Sequence, residues 1–158
     1  MSDWIYRVPE ASTELMEVNP PTFSVVIAVY NAAEFIGDAL DSCFAQTVAP
    51  LEILVVDDGS TDDLDSALAP YLEKIRLIRQ PNGGESVAKN AGANAATGDY
   101  VLLLDADDVA HPQRIEAVES LAVKRPDLAI ITHDDAMTQD GVLLRNYFGD
   151  DRIFVTVD

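Results

Sequence analysis

Three carboxylates lie within four positions of the sequence, directly after a run of apolar residues. Residues 100–104 read Tyr-Val-Leu-Leu-Leu, and Asp105, Asp107 and Asp108 follow them. Carboxylates this close repel one another unless a proton or a cation lies between them. Their oxygen atoms are ligands that Mg²⁺ and Mn²⁺ prefer, so the spacing predicts a divalent metal site. The alternative is a helix-capping Asp and a solvated acidic turn before a helix that starts near Pro112.

The apolar run before these carboxylates has the pattern of a buried strand. It lacks polar alternation, which predicts a strand covered on both faces, as in a parallel sheet with helices on either side. Ligands of such sheets bind beyond the carboxyl ends of the strands, where the three carboxylates fall. The strand context therefore favours a ligand site over a capped turn.

Three further predicted strands also end at polar residues or turn-forming loops. In a parallel sheet all these ends share one edge, and together they describe a crevice suited to a polar ligand and a cation. The ends are Tyr30-Asn31 after residues 24–29, Asp57-Asp58 after residues 52–56, and the loop 80–84 after residues 75–78.

Each of these residues also has a structural interpretation. Asp57 and Asp58 could cap the following helix and its dipole. Tyr30 could be a half-buried wall residue without a ligand. Lys89 is by default a solvated surface charge, but if it faces the crevice it becomes the natural counter-charge for a phosphate in so acidic a chain.

Helices are predicted between the strands. Asn31 is expected to cap the first, with an apolar face that includes Phe35 and Phe44, and Ser60 or Thr61 to cap the second, which runs through Tyr71. The remaining elements are an Ala-rich helix over 85–96 ended by Gly98, a helix over 112–124, a fifth strand over 128–132, and a hairpin over 137–148 that turns at 140–141.

This alternation predicts a doubly wound, mostly parallel α/β sheet flanked by helices. The 158 residues suit one domain, here residues 23–158 after an N-terminal leader over 1–22.

A net charge of −18 argues against nucleic acid or an anionic membrane as a direct partner. The single cysteine, Cys43, and the absence of a long apolar stretch or signal sequence predict a cytoplasmic protein without a transmembrane segment.

A phosphoacceptor receiver domain is one alternative. It would gather Asp57 and Asp58 with a phosphorylated Asp105 around Mg²⁺, with Thr132 as its switch hydroxyl. Such a domain also needs a Lys at the end of its next strand, whereas the sequence has no Lys after Lys124.

Four segments together resemble the family-2 inverting glycosyltransferases in order and spacing. The resemblance covers residues 22 to about 132 and implies the nucleotide-sugar-binding part of a GT-A, Rossmann-like fold. The segments are SVVIAVYN (24–31), ILVVDDGSTD (53–62), NGGESVAKNAG (82–92) and GDYVLLLDADD (98–108).

By position, the resemblance implies a nucleotide-diphosphate sugar donor, with a UDP-sugar expected, and a Mg²⁺ or Mn²⁺ cofactor. Ala28 and Tyr30 would lie against the nucleotide base. Asp58 would form a hydrogen bond with the edge of that base, and Glu34 would lie near the same pocket. Lys89 stands where the family often has Arg, close to the nucleotide. Asp105, Asp107 and Asp108 form the metal motif, with Asp107 also at the diphosphate.

An inverting transfer needs a general base that deprotonates the acceptor hydroxyl. In the family that carboxylate lies in an acceptor-binding half of the protein, after the metal motif. We expect this half to be missing here. A partner protein or a second copy of the chain would then take the place of the missing half. Asp134 and Asp135 are interpreted as loop or acceptor-side residues and His133 as structural. A non-catalytic nucleotide-sugar-binding module is the alternative function.

Overall fold

The computed structural model describes residues 19–125 and, beyond them, the backbone of four short strands. The first four strands of the chain form one sheet in which every neighbouring pair is parallel. They are β1 (Phe23–Val29), β2 (Glu52–Asp57), β3 (Arg76–Arg79) and β4 (Tyr100–Asp105), arranged in the order β3-β2-β1-β4.

Helices cover both faces of this sheet, which confirms the predicted fold class. On one face, α1 (Ile36–Phe44), α2 (Leu64–Leu68) and α4 (Arg114–Lys124) supply side chains to the larger core. On the other face, α3 (Glu85–Ala95) packs on β1 and β2. Successive strand residues point to opposite faces, so Val25 and Ile27 join the larger core while Val26 meets α3.

The strand order creates a switch point between β1 and β4. The chain winds outward from β1 to β3 and then crosses back to place β4 on the other side of β1. Open sheets of this kind bind ligands in the crevice outside the strand ends at such a point.

The same order excludes the receiver alternative. The flavodoxin-like order 2-1-3-4-5 puts the third strand directly beside the first. In a receiver domain the strand before the acidic pair is the first strand, so β2 would be first, β3 second and β4 third. β4 would then have to lie beside β2, but β1 lies between them.

The strands after residue 125 form two small antiparallel pairs. The predicted fifth strand is present as β5 (Ile130–Thr132), but it pairs with β8 (Phe154–Thr156) and not with the main sheet. The predicted hairpin is confirmed by the pairing of β6 (Ala136–Gln139) with β7 (Val142–Asn146). Its turn at 140–141 lies outside the described residues, as do residues 1–18 of the predicted leader and the residues His133, Asp134 and Asp135.

The predicted N-caps of two helices were wrong. The N-cap of α1 is Phe35 and not Asn31, because the Asn31 side-chain oxygen accepts a hydrogen bond from the Thr61 N–H and the helix begins only at Ile36. The second helix is limited to five residues with Asp63 at its N-cap, so neither Ser60, Thr61 nor the Asp57-Asp58 pair caps it.

Two aromatic residues assigned to the buried face of α1 are partly exposed. Phe35 is 45% exposed because it precedes the first helical residue and lies at the strand-end edge. Phe44 is 40% exposed and stacks on Tyr71, with Lys74 over its ring.

The strand β4 is buried on one face only, which corrects the prediction that both faces are covered. Leu102 and Leu104 lie in the core, whereas Val101 and Leu103 are 38% and 43% exposed. The cause is that β4 is an edge strand of the four-stranded sheet, whereas α3 packs on β1 and β2.

Glycine packing fixes how the elements approach one another. A Cβ on Gly98 would lie 2.8 Å from the Ser24 backbone nitrogen, so a glycine is needed here for the chain to approach β1 closely. Gly98 does not end α3, which finishes at Ala95.

None of the helices in the described part of the chain has the length and apolar character needed to cross a membrane.

Candidate active site

A cleft of about 700 Å³ opens at the switch point, within the size range of small-molecule sites. Its walls come from the ends of β1 and β4, Asp58 after β2, the loop after β3, and the start of α3. The lining residues are Ala28, Val29, Tyr30, Asn31, Ala32, Phe35, Asp58, Asn82, Gly84, Glu85, Ala88, Asp105, Ala106 and Asp107.

Strand register places the polar residues at this edge. Ala28 of β1 lies opposite Asp105 of β4, and Val29 lies opposite Asp57 of β2. The backbone N–H of Asp58 then donates to the Val29 carbonyl and extends the pairing by one residue. The predicted convergence of these strand ends is therefore a direct result of parallel pairing.

Asp58 anchors the loop that forms one wall of the cleft. Asp58 as a whole residue is 2% exposed, and its carboxylate accepts hydrogen bonds from the Gln80 side-chain amide (2.7 Å) and from the backbone N–H groups of Gly83 (2.9 Å) and Gly84 (2.8 Å). These bonds, led by the one from Gly83, lower the pKa of Asp58. The side chain is thus held as a carboxylate.

A second set of bonds joins the loops after β1 and β2. The Asn31 side-chain oxygen accepts from the Thr61 N–H at 2.7 Å, while the Asn31 N–H donates to the Ser60 hydroxyl at 3.1 Å. Asn31 adopts a φ of 51°, a left-handed conformation that Asn tolerates better than most residues. Asp57 accepts from the Ser60 N–H at 2.8 Å and so closes a turn instead of capping a helix.

Lys89 reaches from α3 to Asp105, the first carboxylate of the predicted metal motif. Its ammonium lies 2.6 Å from Asp105 Oδ1 and 2.5 Å from Glu85 Oε1. Burial by itself lowers the pKa of Lys89, but the bonds to Asp105 and Glu85 outweigh it and leave the pKa raised. Lys89 is therefore a fixed positive charge at the cleft rather than the solvated surface residue of the alternative interpretation.

The three predicted metal ligands are not gathered around one point. Asp105 and Asp107 both line the cleft, but the Asp105 carboxylate pairs with Lys89, and Asp108 is exposed outside the lining. Within the described residues, no group of three or more His, Cys, Asp or Glu side chains could hold a metal ion. The arrangement fits only a site with one or two carboxylates that is completed by oxygen atoms of a ligand, as Mg²⁺ sites on phosphates often are.

The predicted nucleotide-binding residues divide into two groups. Ala28, Tyr30, Asp58 and Asp107 line the cleft, and Lys89 borders it through Asp105. Glu34 is exposed and is not among the lining residues.

Sequence reasoning missed Phe35 and Glu85 as cleft residues. Phe35 was assigned to a helix face, and only the late start of α1 releases it to the cleft. Glu85 could have been found from its place directly after the predicted glycine loop, since the first residue of the next helix lies at the same sheet edge.

This chain is similar to known proteins in both sequence and fold. The family model described as glycosyl transferase family 2 matches residues 24–149. An uncharacterized glycosyltransferase, YibD of Escherichia coli (strain K12), is 39% identical over 104 residues, which are 64% of this chain and 30% of YibD. The chain therefore spans less than a third of that relative.

Two solved structures share the fold at 26% sequence identity. One is S. aureus TarS 1-349 in complex with UDP-GlcNAc, with a TM-score of 0.64 over 77% of this chain and 36% of that chain. The other is the mannosyltransferase PcManGT from Pyrobaculum calidifontis in complex with GDP-Man and Mn²⁺, with a TM-score of 0.57 and the same coverage.

Proposed function

This chain belongs to glycosyl transferase family 2, and we propose that it carries the donor-binding part of an enzyme that transfers a sugar from a nucleoside-diphosphate sugar to an acceptor hydroxyl with inversion. The observation that carries the proposal is the cleft of about 700 Å³ at the β1/β4 switch point, which combines exposed aromatic rings with fixed charges. The complexes of TarS with UDP-GlcNAc and of PcManGT with GDP-Man support this ligand class. We expect a UDP-sugar as the donor and a cytoplasmic location.

The base of the nucleotide is assigned to the β1 side of the cleft. Tyr30 is 51% exposed, so a planar ring can pack on it, and Ala28 beside it leaves room for the base. The Asp58 carboxylate accepts three bonds within the protein and has about four acceptor positions. The remaining position would accept a hydrogen bond from the base edge.

The diphosphate is assigned to the space between α3 and the metal motif. This region is acidic, because Asp58, Glu85, Asp105 and Asp107 line the cleft while Lys89 supplies one positive charge beside them. A diphosphate would be repelled from such a surface unless a divalent cation entered with it.

We therefore propose that Mg²⁺ or Mn²⁺ accompanies the donor. The ion would neutralise the charge that develops on the leaving nucleoside diphosphate. Asp107, which lines the cleft, and its neighbour Asp108 are the carboxylates proposed to hold it together with phosphate oxygens. The Mn²⁺ in the PcManGT complex supports this assignment.

Calorimetric titration with UDP, GDP and TDP, each with and without Mn²⁺, tests the donor site. We expect UDP to bind most tightly and only when Mn²⁺ is present. No binding of any of the three nucleotides would contradict the proposal. An assay for transfer or donor hydrolysis then separates a transferase from a module that only binds, because turnover excludes the latter.

A further inference from the structure

The ion pair between Lys89 and Asp105 occupies the first carboxylate of the metal motif. Lys89 Nζ lies 2.6 Å from Asp105 Oδ1, which is the distance of a direct, charge-assisted hydrogen bond. The Lys89 side chain is only 21% exposed, whereas that of Asp105 is 49% exposed. The contact is thus shielded on the lysine side and open on the carboxylate side.

Both partners are held by well-packed elements. Lys89 follows the fully buried Ala88 on α3, and it also pairs with Glu85 one turn earlier on the same helix. Asp105 is the last residue of β4 and lies opposite Ala28 in the sheet. The ammonium is therefore directed at Asp105 by the packing of α3 against the sheet.

A divalent ion on the Asp105 carboxylate would lie next to this ammonium. Two positive centres that share one carboxylate repel each other, and the low exposure of Lys89 limits screening by water. The described residues offer no other pair of carboxylates that could complete a three-ligand site and compensate for this repulsion.

We propose that Lys89 is a positioning residue that keeps the Asp105 carboxylate out of divalent-metal coordination. Asp105 is then a fixed acceptor in the wall of the cleft, and the metal motif binds Mn²⁺ weakly in the absence of a nucleotide. The inference deepens the proposed function by assigning separate tasks to residues of the same motif.

The test measures binding of Mn²⁺ alone, from the electron paramagnetic resonance signal of the free ion. Lys89→Met removes the ammonium and leaves Asp105 available as a ligand, so the Kd for Mn²⁺ should fall at least tenfold. The double variant K89M/D105N should lose this gain, whereas K89M/E85Q should keep it, because Glu85 is not the carboxylate in question. Asp105→Asn in the otherwise native chain should change the Kd by less than twofold.

Lys74→Met is the matched control, since Lys74 lies over the Phe44 ring and outside the cleft lining. It reports the general effect of removing one positive charge from an acidic protein. Circular dichroism of every variant verifies that it is folded.

Two results would overturn the inference. One is an unchanged or weaker Mn²⁺ affinity in K89M relative to K74M. The other is a tenfold loss of affinity in D105N, which would make Asp105 a metal ligand in the native chain. Since no nucleotide is used, the outcome is independent of the calorimetry that tests the proposed function.

Discussion

At the scale of single residues, the sequence motifs predicted which side chains lie close together but not which hydrogen bonds and ion pairs they form. Asp58 follows β2 and Asp105 is the last residue of β4, and parallel pairing brings these strand ends to one edge. The bonds of Asp58 to Gly83 and Gly84, and the ion pair of Asp105 with Lys89, depend on loop and helix positions that no local pattern encodes. The proposed hydrogen bond between Asp58 and the nucleotide base stays a prediction.

The lowered pKa of Asp58 predicts a pH-dependent contribution to stability. A carboxyl group whose pKa is lower in the folded state stabilises the protein above its unfolded pKa, about 3.9, and loses that effect as pH falls through the folded value. Asp58→Asn should therefore be less stable than the native chain at neutral pH, and the difference should shrink below about pH 4. Urea unfolding from pH 3 to pH 7 measures it.

The control for this prediction is Asp63→Asn. Asp63 is exposed at the N-cap of α2 and makes no side-chain capping bond, so its replacement should change stability by less than about 0.5 kcal/mol. A D58N difference that stays constant down to pH 3 would show that the carboxylate is not held in its charged form by the loop.

Asp107→Asn tests the assignment of the metal to the cleft. The variant should bind UDP equally weakly with and without Mn²⁺, because a neutral amide is a poorer ligand for a hard cation than a carboxylate. Isothermal titration calorimetry measures the two affinities, with the exposed D63N variant as the control. Native-like dependence on Mn²⁺ in D107N would remove Asp107 from the site.

At the scale of elements, the strands and long helices were predictable because their apolar patterns are long and regular. The α2 region was not, since its few apolar positions support five helical residues and leave the acidic turn before it non-helical. The exposure of Val101 and Leu103 was also missed. A continuous apolar run indicates burial, but it does not say which strand flanks the sheet.

Close contact between α3 and the sheet predicts that Gly92 does not tolerate a side chain. A Cβ at this position would lie 2.3 Å from Val26 Cγ1, and Val26 is fully buried. Gly92→Ala should destabilise the fold by about 1–3 kcal/mol, the usual range for overpacking. Asn94→Ala on the exposed side of α3 is the control and should change stability by less than about 0.5 kcal/mol. An equally stable G92A in urea unfolding would mean that α3 packs less closely than described.

At the scale of the whole molecule, the charge balance dominates. The chain has 28 acidic and 10 basic residues, for a net charge of −18. Such a charge opposes the compact state through self-repulsion. Four carboxylates, those of Asp58, Glu85, Asp105 and Asp107, line the cleft, so we expect an anionic ligand to bind there together with a cation.

Salt should therefore stabilise this protein. Raising NaCl from about 0.01 M to 0.3 M shortens the Debye length from about 30 Å to below 8 Å and should raise the Tm in differential scanning fluorimetry. Choline chloride at the same ionic strength is the control and should give the same increase, because the effect is screening and not binding of sodium. A Tm that stays constant or falls would contradict it.

The most direct test of the account is a crystal structure of this chain grown with UDP and MnCl₂. We expect UDP in the cleft between the ends of β1 and β4, with its base against Ala28 and Tyr30. The anomalous signal of Mn²⁺ should lie beside Asp107 and the diphosphate, with Asp105 still paired to Lys89. A nucleotide bound outside this cleft, or a manganese ion remote from Asp107, would contradict the proposed donor site.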